Sequence, residues 1–176
     1  MIKPLTDLLG KDVTFHWGTA QQLAFDAARS ALHSVSKLQH FRSNCPLRLT
    51  SDASNVAIAC VLEQFIEGRW APLEFWSRKL RGAELRYAAF DRELLGAFES
   101  VKKFRHLLAG VRFDLRLDHR PVVQAFSRSA DCWNDRQARH LSFISEFDVN
   151  PIYLPGHLNT VADALSRAVQ EPAEVN

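Results

Sequence analysis

Apolar and polar side chains alternate in several short stretches of this chain. The clearest runs from Leu47 to Asp52, where Leu47 and Leu49 share one face and Asp52 lies on the opposite face and ends the run. Such alternation is typical of a half-buried strand. Further strands are predicted over residues 56–64, 70–78, 113–117 and 152–154. Because Glu67-Gly68 is a turn signal between the second and third strands, we expect the first three to form an antiparallel meander.

Other stretches repeat apolar residues at helical spacing. Residues 84–107 carry one apolar stripe without proline, which predicts a long core helix with Glu93 at the border of its buried face. The stripe consists of Tyr87, Phe90, Leu94, Ala97, Val101 and Phe104. A helix is predicted over 19–35, with a Thr19/Gln22 capping box and an apolar stripe that includes Phe25. Shorter helices are predicted after Pro121, over 135–147 with an Asn134 cap, and from Thr160. This order predicts an α/β fold, with a mixed five-stranded sheet flanked by helices and an N-terminal helical appendage.

The composition agrees with one folded unit. The chain has 176 residues, of which 47% are hydrophobic and 24% charged, enough for one globular core with a modest appendage. Polar and chain-breaking residues at Ser43, Asn44 and Pro46 mark a boundary. We therefore predict an appendage over residues 1–43, a main domain over 44–169 and a disordered polar tail over 170–176.

Charge, cysteine spacing and hydropathy narrow the class of protein. The formal net charge of +2 is too small to identify a nucleic-acid binder by itself. The cysteines are far apart and lack the spacing of zinc sites. The N-terminal sequence MIKPLTDLLG lacks the apolar core of a secretory signal, and no apolar run is long enough to span a membrane. We therefore expect an intracellular protein that is not secreted and has no membrane partner.

Four acidic residues stand at the ends of predicted elements or along the edge of a helix: Asp52, Glu93, Asp118 and Asp163. Each one alone has an ordinary interpretation, as a turn residue, a solvated strand-end charge or a partner of a helix cap. Together they would form a buried carboxylate cluster, which repels itself unless divalent cations neutralise it. Oxygen ligands of this kind suit Mg²⁺ or Mn²⁺ rather than zinc.

The sequence around these acids resembles a known family. The segments SDASNVAIACVLEQ, EFWSRKL, AAFDRELLGAFESVKKFRHLLAG, LDHRPV and YLPGHLNTVADALSR are similar, in this order, to motifs of the ribonuclease H domain of gypsy-type long-terminal-repeat retrotransposons. The resemblance covers Pro46 to Arg167. The upstream segment KPLTDLLGKDVTFHWGTAQQLAFDAARSAL is similar to the connection between a reverse transcriptase's last polymerase subdomain and its nuclease. The resemblance therefore implies that residues 1–43 end the polymerase portion of a Pol polyprotein, and that this portion is a partner.

The resemblance also implies an activity and its site. The domain would hydrolyse the RNA strand of an RNA/DNA hybrid, with Asp52, Glu93, Asp118 and Asp163 as catalytic metal ligands. Two Mg²⁺ ions, for which Mn²⁺ could substitute, would activate a water and stabilise the leaving 3′ oxygen, with Asp52 bridging both ions. The implied location is a cytoplasmic particle or the nucleus. The oligomeric state stays open.

Basic residues beside these motifs are candidate contacts to the nucleic-acid backbone. They are Arg78, Lys79, His119 and Arg120. Recognition by shape and by 2′ hydroxyls would make cleavage largely tolerant of sequence. A further basic run, Lys102 to His106, ends the long helix, where it either contacts phosphates or simply favours the helix dipole.

Two residues near the last acid are candidate auxiliary groups. Many cellular ribonucleases H have a histidine upstream of the last aspartate, proposed to help product release or proton transfer, and Tyr153 occupies that position here. His157 lies closer to Asp163 and is an alternative, although a lone loop histidine is more often a solvated surface residue.

Other functions share this fold class. A noncatalytic nucleic-acid-binding module, weak or inactive as a nuclease, could keep the fold, but it has no use for a self-repelling acidic cluster. An integrase or transposase uses acids in the order Asp, Asp, Glu, and Glu146 could be the third, but nothing around Glu146 resembles an integrase motif. A polymerase is excluded because no Tyr-x-Asp-Asp sequence occurs. We therefore predict the nuclease.

Overall fold

The computed structural model of the protein describes residues 3–6, 8, 14–34, 38–128 and 132–155. The strands in these ranges are β1 (Leu47–Ala53), β2 (Ala57–Ile66), β3 (Arg69–Lys79), β4 (Phe113–Leu117) and β5 (Val149–Tyr153). The α-helices are α1 (Lys3–Thr6), α2 (Thr19–Ser34), α3 (Ala89–Leu108), α4 (Arg120–Ala125) and α5 (Asp135–Ser145), and a 3-10 helix covers Gly82–Arg86. In these ranges no helix combines the length and apolarity needed to cross a membrane. The predicted helix from Thr160 lies outside the described residues.

The five strands form one mixed sheet in the order β3-β2-β1-β4-β5. β1, β2 and β3 are antiparallel neighbours, which confirms the predicted meander. β4 runs parallel to β1, and β5 runs parallel to β4. Parallel neighbours need crossover connections, which α3 supplies before β4 and which α4 and α5 supply before β5. The predicted mixed five-stranded sheet with flanking helices is therefore confirmed.

The main core lies between α3 and one face of the sheet. Four members of the predicted stripe on α3 are buried, namely Leu94, Ala97, Val101 and Phe104. They share a cluster with leucines of the two central strands, namely Leu47, Leu49, Leu115 and Leu117. α5 packs beside α3 and adds Leu141 and Ile144 to the same cluster. Each large apolar side chain buried in this way contributes about 2 kcal/mol of hydrophobic free energy.

β1 is more deeply buried than its alternating pattern predicts. Thr50, Ser51 and Asp52 are all 6% exposed or less, so the prediction of a half-buried strand is wrong for the second half of β1. One reason is the close approach of α3, whose Gly96 and Ser100 lie against Ser51 near the carboxyl end of β1. Polar side chains are consequently buried at its carboxyl end.

The long helix begins later than the apolar stripe predicts. The chain forms a 3-10 helix over Gly82–Arg86, then Tyr87 and Ala88 adopt extended backbone conformations before α3 begins at Ala89. Glu84 holds this break, because its carboxylate accepts hydrogen bonds from the Arg78 guanidinium. The last strand also differs from the prediction, since β5 begins at Val149 and not at residue 152.

The described part of α2 agrees with the predicted helix, but its cap and its buried face do not. Gly18 acts as the N-cap in place of Thr19, since its N–H donates to Gln21 Oε1 and its carbonyl accepts from the Gln22 N–H. Phe25, expected on the buried stripe, is 46% exposed, whereas Ala24 is 6% exposed. At these two positions the buried face of α2 therefore differs from the predicted one.

Candidate metal centre and active site

Three of the four acids singled out in the sequence meet at one edge of the sheet. Asp52 lies near the end of β1, Asp118 directly follows β4, and Glu93 lies in the first half of α3. One carboxylate oxygen from each residue lies within 4.8 Å of the other two. Asp52 and Glu93 are buried and Asp118 is half-buried, so Asp118 is the member that solvent reaches most easily.

The parallel pairing of the two central strands brings the two aspartates together. Ser51 lies opposite Leu117 in this pairing, so Asp52 and Asp118 occupy the next position on adjacent strands. Adjacent strands lie about 4.8 Å apart. The carboxyl ends of parallel strands meet at the same edge, where functional groups of open α/β sheets collect.

The third acid depends on a close approach of α3 to β1. Gly96 lies on α3 one turn after Glu93, and a Cβ at Gly96 would lie 3.2 Å from Ser51 Oγ and 3.5 Å from Ala53 Cβ. One turn further on, Ser100 Oγ lies 3.1 Å from Ser51 Oγ and 2.7 Å from the carbonyl oxygen of Gly96. The missing side chain and the hydroxyl pair together set the spacing that carries Glu93 to the aspartates.

The electrostatics of the cluster are unfavourable without a cation. Burial raises the pKa of Glu93 well above its usual value, and the negative charges of Asp118 and Asp52 raise that pKa further. Arg92 and a hydrogen bond from the Ala53 backbone oppose the shift. Protonation of Glu93 therefore relieves the repulsion when no cation is bound.

The donor set fits a hard divalent cation. Glu93 Oε2 is buried without a hydrogen-bond partner, so it keeps lone pairs available for a ligand. The three residues that the geometry brings together offer only carboxylate oxygens. Oxygen-only sets suit ions such as Mg²⁺, Mn²⁺ and Ca²⁺. The cluster of Asp52, Glu93 and Asp118 could therefore hold a metal ion.

Arg78 has a different environment from the one expected of a phosphate contact. Its guanidinium lies 2.7 Å from Glu84 Oε2 and 3.2 Å from Glu99 Oε1, and its side chain is 13% exposed. Hydrogen bonding to Glu84 raises the pKa of Arg78, and the same bond lowers the pKa of Glu84. The predicted backbone contact does not agree with this placement, because two carboxylates already satisfy the guanidinium and tie β3 to the 3-10 helix and α3.

The other candidate contacts lie closer to solvent. Lys79 is exposed at the end of β3, and Arg120 is exposed at the start of α4. Arg120 lies over the ring of Tyr153, with its guanidinium carbon 4.7 Å from the ring centroid. His119 packs edge-on against Phe90, its Nδ1 is buried without a partner, and burial lowers its pKa. The segment after Asp118 thus directs His119 toward α3 and Arg120 toward β5.

The basic run at the end of α3 was predicted either to contact phosphates or to favour the helix dipole, and its members have different environments. Lys103 Nζ lies 2.8 Å from Glu74 Oε1, so this charge has a partner on β3. Lys102, Arg105 and His106 are exposed. Arg105 and His106 lie in the last turn, where positive charge favours the helix dipole.

Two predicted site residues, Asp163 and His157, lie outside the described residues. Glu146, the acid weighed for an integrase arrangement, caps the end of α5. Val149 pairs with Phe113, so Glu146 lies near the start of β4, whereas Asp118 follows its end. A strand of this length spans roughly 16 Å. Glu146 therefore does not complete the acidic cluster.

The sequence reasoning missed the residues that position Glu93. Gly96, Ser51 and Ser100 were not singled out, although glycine inside a helical pattern costs about 1 kcal/mol relative to alanine and so signals a packing requirement. It also missed the stacked pair of Phe90 and Trp133, whose ring centroids are 5.4 Å apart. Phe90 lies one turn before Glu93, so this stack packs beside the start of the site.

The sheet order and the acids at its edge define a protein of the ribonuclease H-like class. A family model described as the RNase H-like domain found in reverse transcriptase matches residues 17–115. The Transposon Tf2-3 polyprotein of Schizosaccharomyces pombe is 35% identical over 171 residues, which cover 96% of this chain and 13% of that polyprotein. The chain belongs to the family of RNase H-like domains found in reverse transcriptases, and it spans about an eighth of the length of the relatives it matches.

Two solved structures share the fold. The foamy viral protease-reverse transcriptase in complex with an RNA/DNA hybrid matches with a TM-score of 0.63 and 18% identity, covering 99% of this chain and 24% of that chain. The N-terminal RNase H domain of rv2228c from Mycobacterium tuberculosis, solved as a fusion with maltose binding protein, matches with a TM-score of 0.53 and 16% identity, covering 71% of this chain and 93% of that chain. At these identities the likeness shows a common fold.

Proposed function

We propose that this chain is an active ribonuclease H that hydrolyses the RNA strand of RNA/DNA hybrids within a gypsy-type retroelement reverse transcriptase. The observation that carries the proposal is the cluster of Asp52, Glu93 and Asp118, whose oxygens approach within 4.8 Å. Burying carboxylates together opposes folding, so a cation-dependent reaction gives the cluster a use. The foamy viral relative was solved with an RNA/DNA hybrid, which supports this substrate class.

The proposed cofactor is Mg²⁺, with Mn²⁺ as a substitute. Asp52, Glu93 and Asp118 would hold it, and Asp163 would be a fourth ligand. Two such ions, when bound, would activate the attacking water and stabilise charge on the leaving 3′ oxygen. Hydrolysis would leave 5′ phosphate and 3′ hydroxyl ends.

The residues around the cluster would orient it and contact the substrate. The backbone of Ala53 donates to Glu93, which fixes that carboxylate while Oε2 stays available to a cation. Burial and the neighbouring acids raise the pKa of Glu93, and a cation bound at the cluster would oppose this shift by favouring the charged carboxylate. Lys79, His119 and Arg120 are the proposed contacts to the sugar-phosphate backbone, which would make cleavage tolerant of sequence.

We propose the same division of the chain as the sequence predicts, with a nuclease unit over residues 44–169 and a connection to the polymerase portion over 1–43. Hydrogen bonds anchor the described end of the connection to the sheet. Gln64 accepts from the Arg42 N–H at 2.9 Å and donates to the Arg42 carbonyl at 2.6 Å. The Gln39 N–H donates to the Pro72 carbonyl at 2.9 Å. These bonds fix Gln39 and Arg42 against β2 and β3.

Cleavage of a labelled RNA/DNA hybrid tests the proposed function. The full chain is incubated with the hybrid in Mg²⁺, in Mn²⁺ and in EDTA, with RNA/RNA and DNA/DNA duplexes in parallel. Asp52→Asn removes one ligand of the cluster, and Glu146→Gln is the matched control because Glu146 lies near the opposite edge of the sheet. We expect the wild type and Glu146→Gln to cleave only the RNA of the hybrid, and Asp52→Asn to be inactive.

Two outcomes would contradict the proposal. Cleavage that persists in EDTA or in Asp52→Asn would show that the cluster is not the catalytic centre. Folded wild-type protein that binds the hybrid but leaves it intact in both metals would identify a noncatalytic nucleic-acid-binding module. Circular dichroism and thermal unfolding of each variant confirm that the compared proteins are folded.

A further inference from the structure

Arg120, one of the proposed backbone contacts, lies over the ring of Tyr153, a residue to which the proposed function gives no role. Tyr153 is the last residue of β5 and pairs with Leu117, the last residue of β4. The chain then passes through Asp118 and His119 to Arg120, whose guanidinium carbon lies 4.7 Å from the centre of the tyrosine ring. The contact therefore joins the first residue of α4 to the end of β5, next to Asp118.

Arg120 differs in its ion pairing from the other arginines that lie over aromatic rings in the described ranges. Arg48 lies over Trp70 and also pairs with Glu63, and Arg136 lies over a second tyrosine ring and also pairs with an aspartate. Arg120 has no carboxylate partner among residues 38–128 and 132–155. Its side chain is exposed, so its N–H donors are open to a ligand.

The two ends of the contact are fixed by the backbone. Pro121 follows Arg120 in the first turn of α4 and restricts the local backbone. β5 is held against β4, and the Leu154 N–H continues this pairing by donating to the Leu117 carbonyl at 2.8 Å. A guanidinium held on a ring in this way loses less conformational entropy when it binds an anion than a mobile surface side chain does.

We propose that Tyr153 is a positioning residue whose ring holds the Arg120 guanidinium beside the acidic cluster, where it binds a backbone phosphate of the RNA/DNA hybrid. The inference rests on the proposed function for the nature of the ligand. It replaces the auxiliary role in product release or proton transfer that the position of Tyr153 suggested. The aromatic face is the feature required, so phenylalanine should replace tyrosine and leucine should not.

Hybrid binding measured by fluorescence anisotropy tests the inference without cleavage. The full chain is titrated into a labelled RNA/DNA hybrid in EDTA at several salt concentrations. The variants are Arg120→Ala, Tyr153→Phe, Tyr153→Leu and the double variant Arg120→Ala/Tyr153→Leu. Trp70→Leu is the matched control, because Trp70 also carries a stacked arginine but pairs with Phe65 near the other end of the sheet.

The expected pattern is a coupled loss of affinity. Arg120→Ala should weaken binding about tenfold and reduce the salt slope by about one phosphate contact. Tyr153→Leu should weaken binding about threefold, whereas Tyr153→Phe and Trp70→Leu should match the wild type. In the Arg120→Ala background, Tyr153→Leu should cause no further loss, because the ring acts through the guanidinium.

Several results would overturn the inference. One is an unchanged affinity and salt slope in Arg120→Ala, and another is an equal effect of Tyr153→Leu with and without Arg120. If Tyr153→Leu does not fold, Arg120→Lys replaces it, because lysine retains the positive charge but loses the planar stack on the ring. Hybrid affinity of Arg120→Lys equal to that of the wild type would then overturn the inference. If the effects of the two substitutions on affinity are coupled but the protein does not cleave the hybrid, the proposed nuclease is wrong and the contact stands. If the protein cleaves the hybrid but the two effects are independent, the nuclease stands and the inference about Tyr153 is wrong.

Discussion

Two groups of charged residues, each with one glutamate on α3, differ in the charges that surround that glutamate. At one, Arg78 from β3 lies between Glu84 and Glu99, so each carboxylate has a cation beside it. At the other, Asp52, Glu93 and Asp118 approach within 4.8 Å, and the pKa of Glu93 is raised by burial and by its acidic neighbours. The first group places a guanidinium between two carboxylates, whereas the second places three carboxylates together.

The difference separates residues that hold the fold from residues that oppose it. Removing one partner of an ion pair with little solvent exposure destabilises the folded state, because it leaves the other charge unpaired. A cluster of like charges lowers stability, and such local losses are typical of functional sites. The comparison therefore favours the Asp52, Glu93 and Asp118 cluster as the candidate site and assigns the Arg78 group to the support of the fold.

The largest expected effect comes from making the same change in both groups. Glu93→Gln should lower hybrid cleavage by at least roughly a thousandfold, because it removes a charged ligand, and should raise the melting temperature of the metal-free protein. Glu99→Gln, six positions along the same helix, should leave cleavage near the wild-type rate and lower the melting temperature, because it leaves Arg78 with one partner fewer. Cleavage assays in Mg²⁺ and thermal melts in EDTA measure the two effects. Equal changes in cleavage and melting temperature for the two variants would contradict the difference between the two groups.

The next effect concerns the stability that Arg78 provides. Arg78→Met keeps most of the side-chain volume but leaves Glu84 and Glu99 without their cation, so the free energy of unfolding should fall by about 2 kcal/mol. Urea unfolding measures this change. The adjacent Lys79→Met is the control and should leave stability unchanged, since Lys79 is exposed. Loss of hybrid affinity in Arg78→Met without loss of stability would instead support the original prediction of a phosphate contact.

A smaller effect concerns the pH dependence of the acidic cluster. Because the pKa of Glu93 is higher in the folded than in the unfolded protein, the folded state holds more protons than the unfolded state at pH values above 4.5 and below the raised pKa. The stability of the metal-free protein should therefore fall through that window, by about 1 kcal/mol per pH unit, until the raised pKa is passed. Urea unfolding at a series of pH values should show this slope in the wild type and a flatter one in Glu93→Gln. A slope of equal size in both would mean that Glu93 is not its source.

The smallest effect concerns the approach of α3 to β1. Gly96→Ala would place a methyl group 3.2 Å from Ser51 Oγ, and the resulting shift of α3 should lower kcat/KM for hybrid cleavage about threefold. Ser51→Ala should restore most of this loss in the double variant, because it removes the contacting oxygen, while having little effect alone. Equal losses in the presence and absence of Ser51 would show that Gly96 has another role.

The sequence predicted the acids better than the basic residues around them. Asp52 and Asp118 each end a strand, and a strand-end acid keeps its place whenever the strands pair in parallel. Arg78 also lies near a strand end, but its environment depends on Glu84 and Glu99, which the fold brings to it from the following segment and from α3. The local sequence pattern indicates where a strand ends. The partner of a long side chain depends instead on elements that are distant in the chain.

The start of α3 shows the same limit. The apolar stripe predicted a helix through Tyr87, yet Tyr87 is extended and its ring lies under the Arg136 guanidinium at 4.1 Å. Helical spacing reports which side chains are buried together, and an apolar residue just outside a helix can fall on the same face. The ion pair between Arg78 and Glu84 and the contact with Arg136 are tertiary features that override the local pattern.

The order of strands and helices, the mixed sheet and the grouping of Asp52, Glu93 and Asp118 could be predicted from the sequence alone, because hydrophobic periodicity and strand-end residues are local properties of the chain. The tertiary structure decided the burial of β1, the role of Arg78, the spacing set by Gly96 and the stacking of Arg120 on Tyr153. Each of these depends on distances between segments far apart in sequence, and those distances result from packing the whole core.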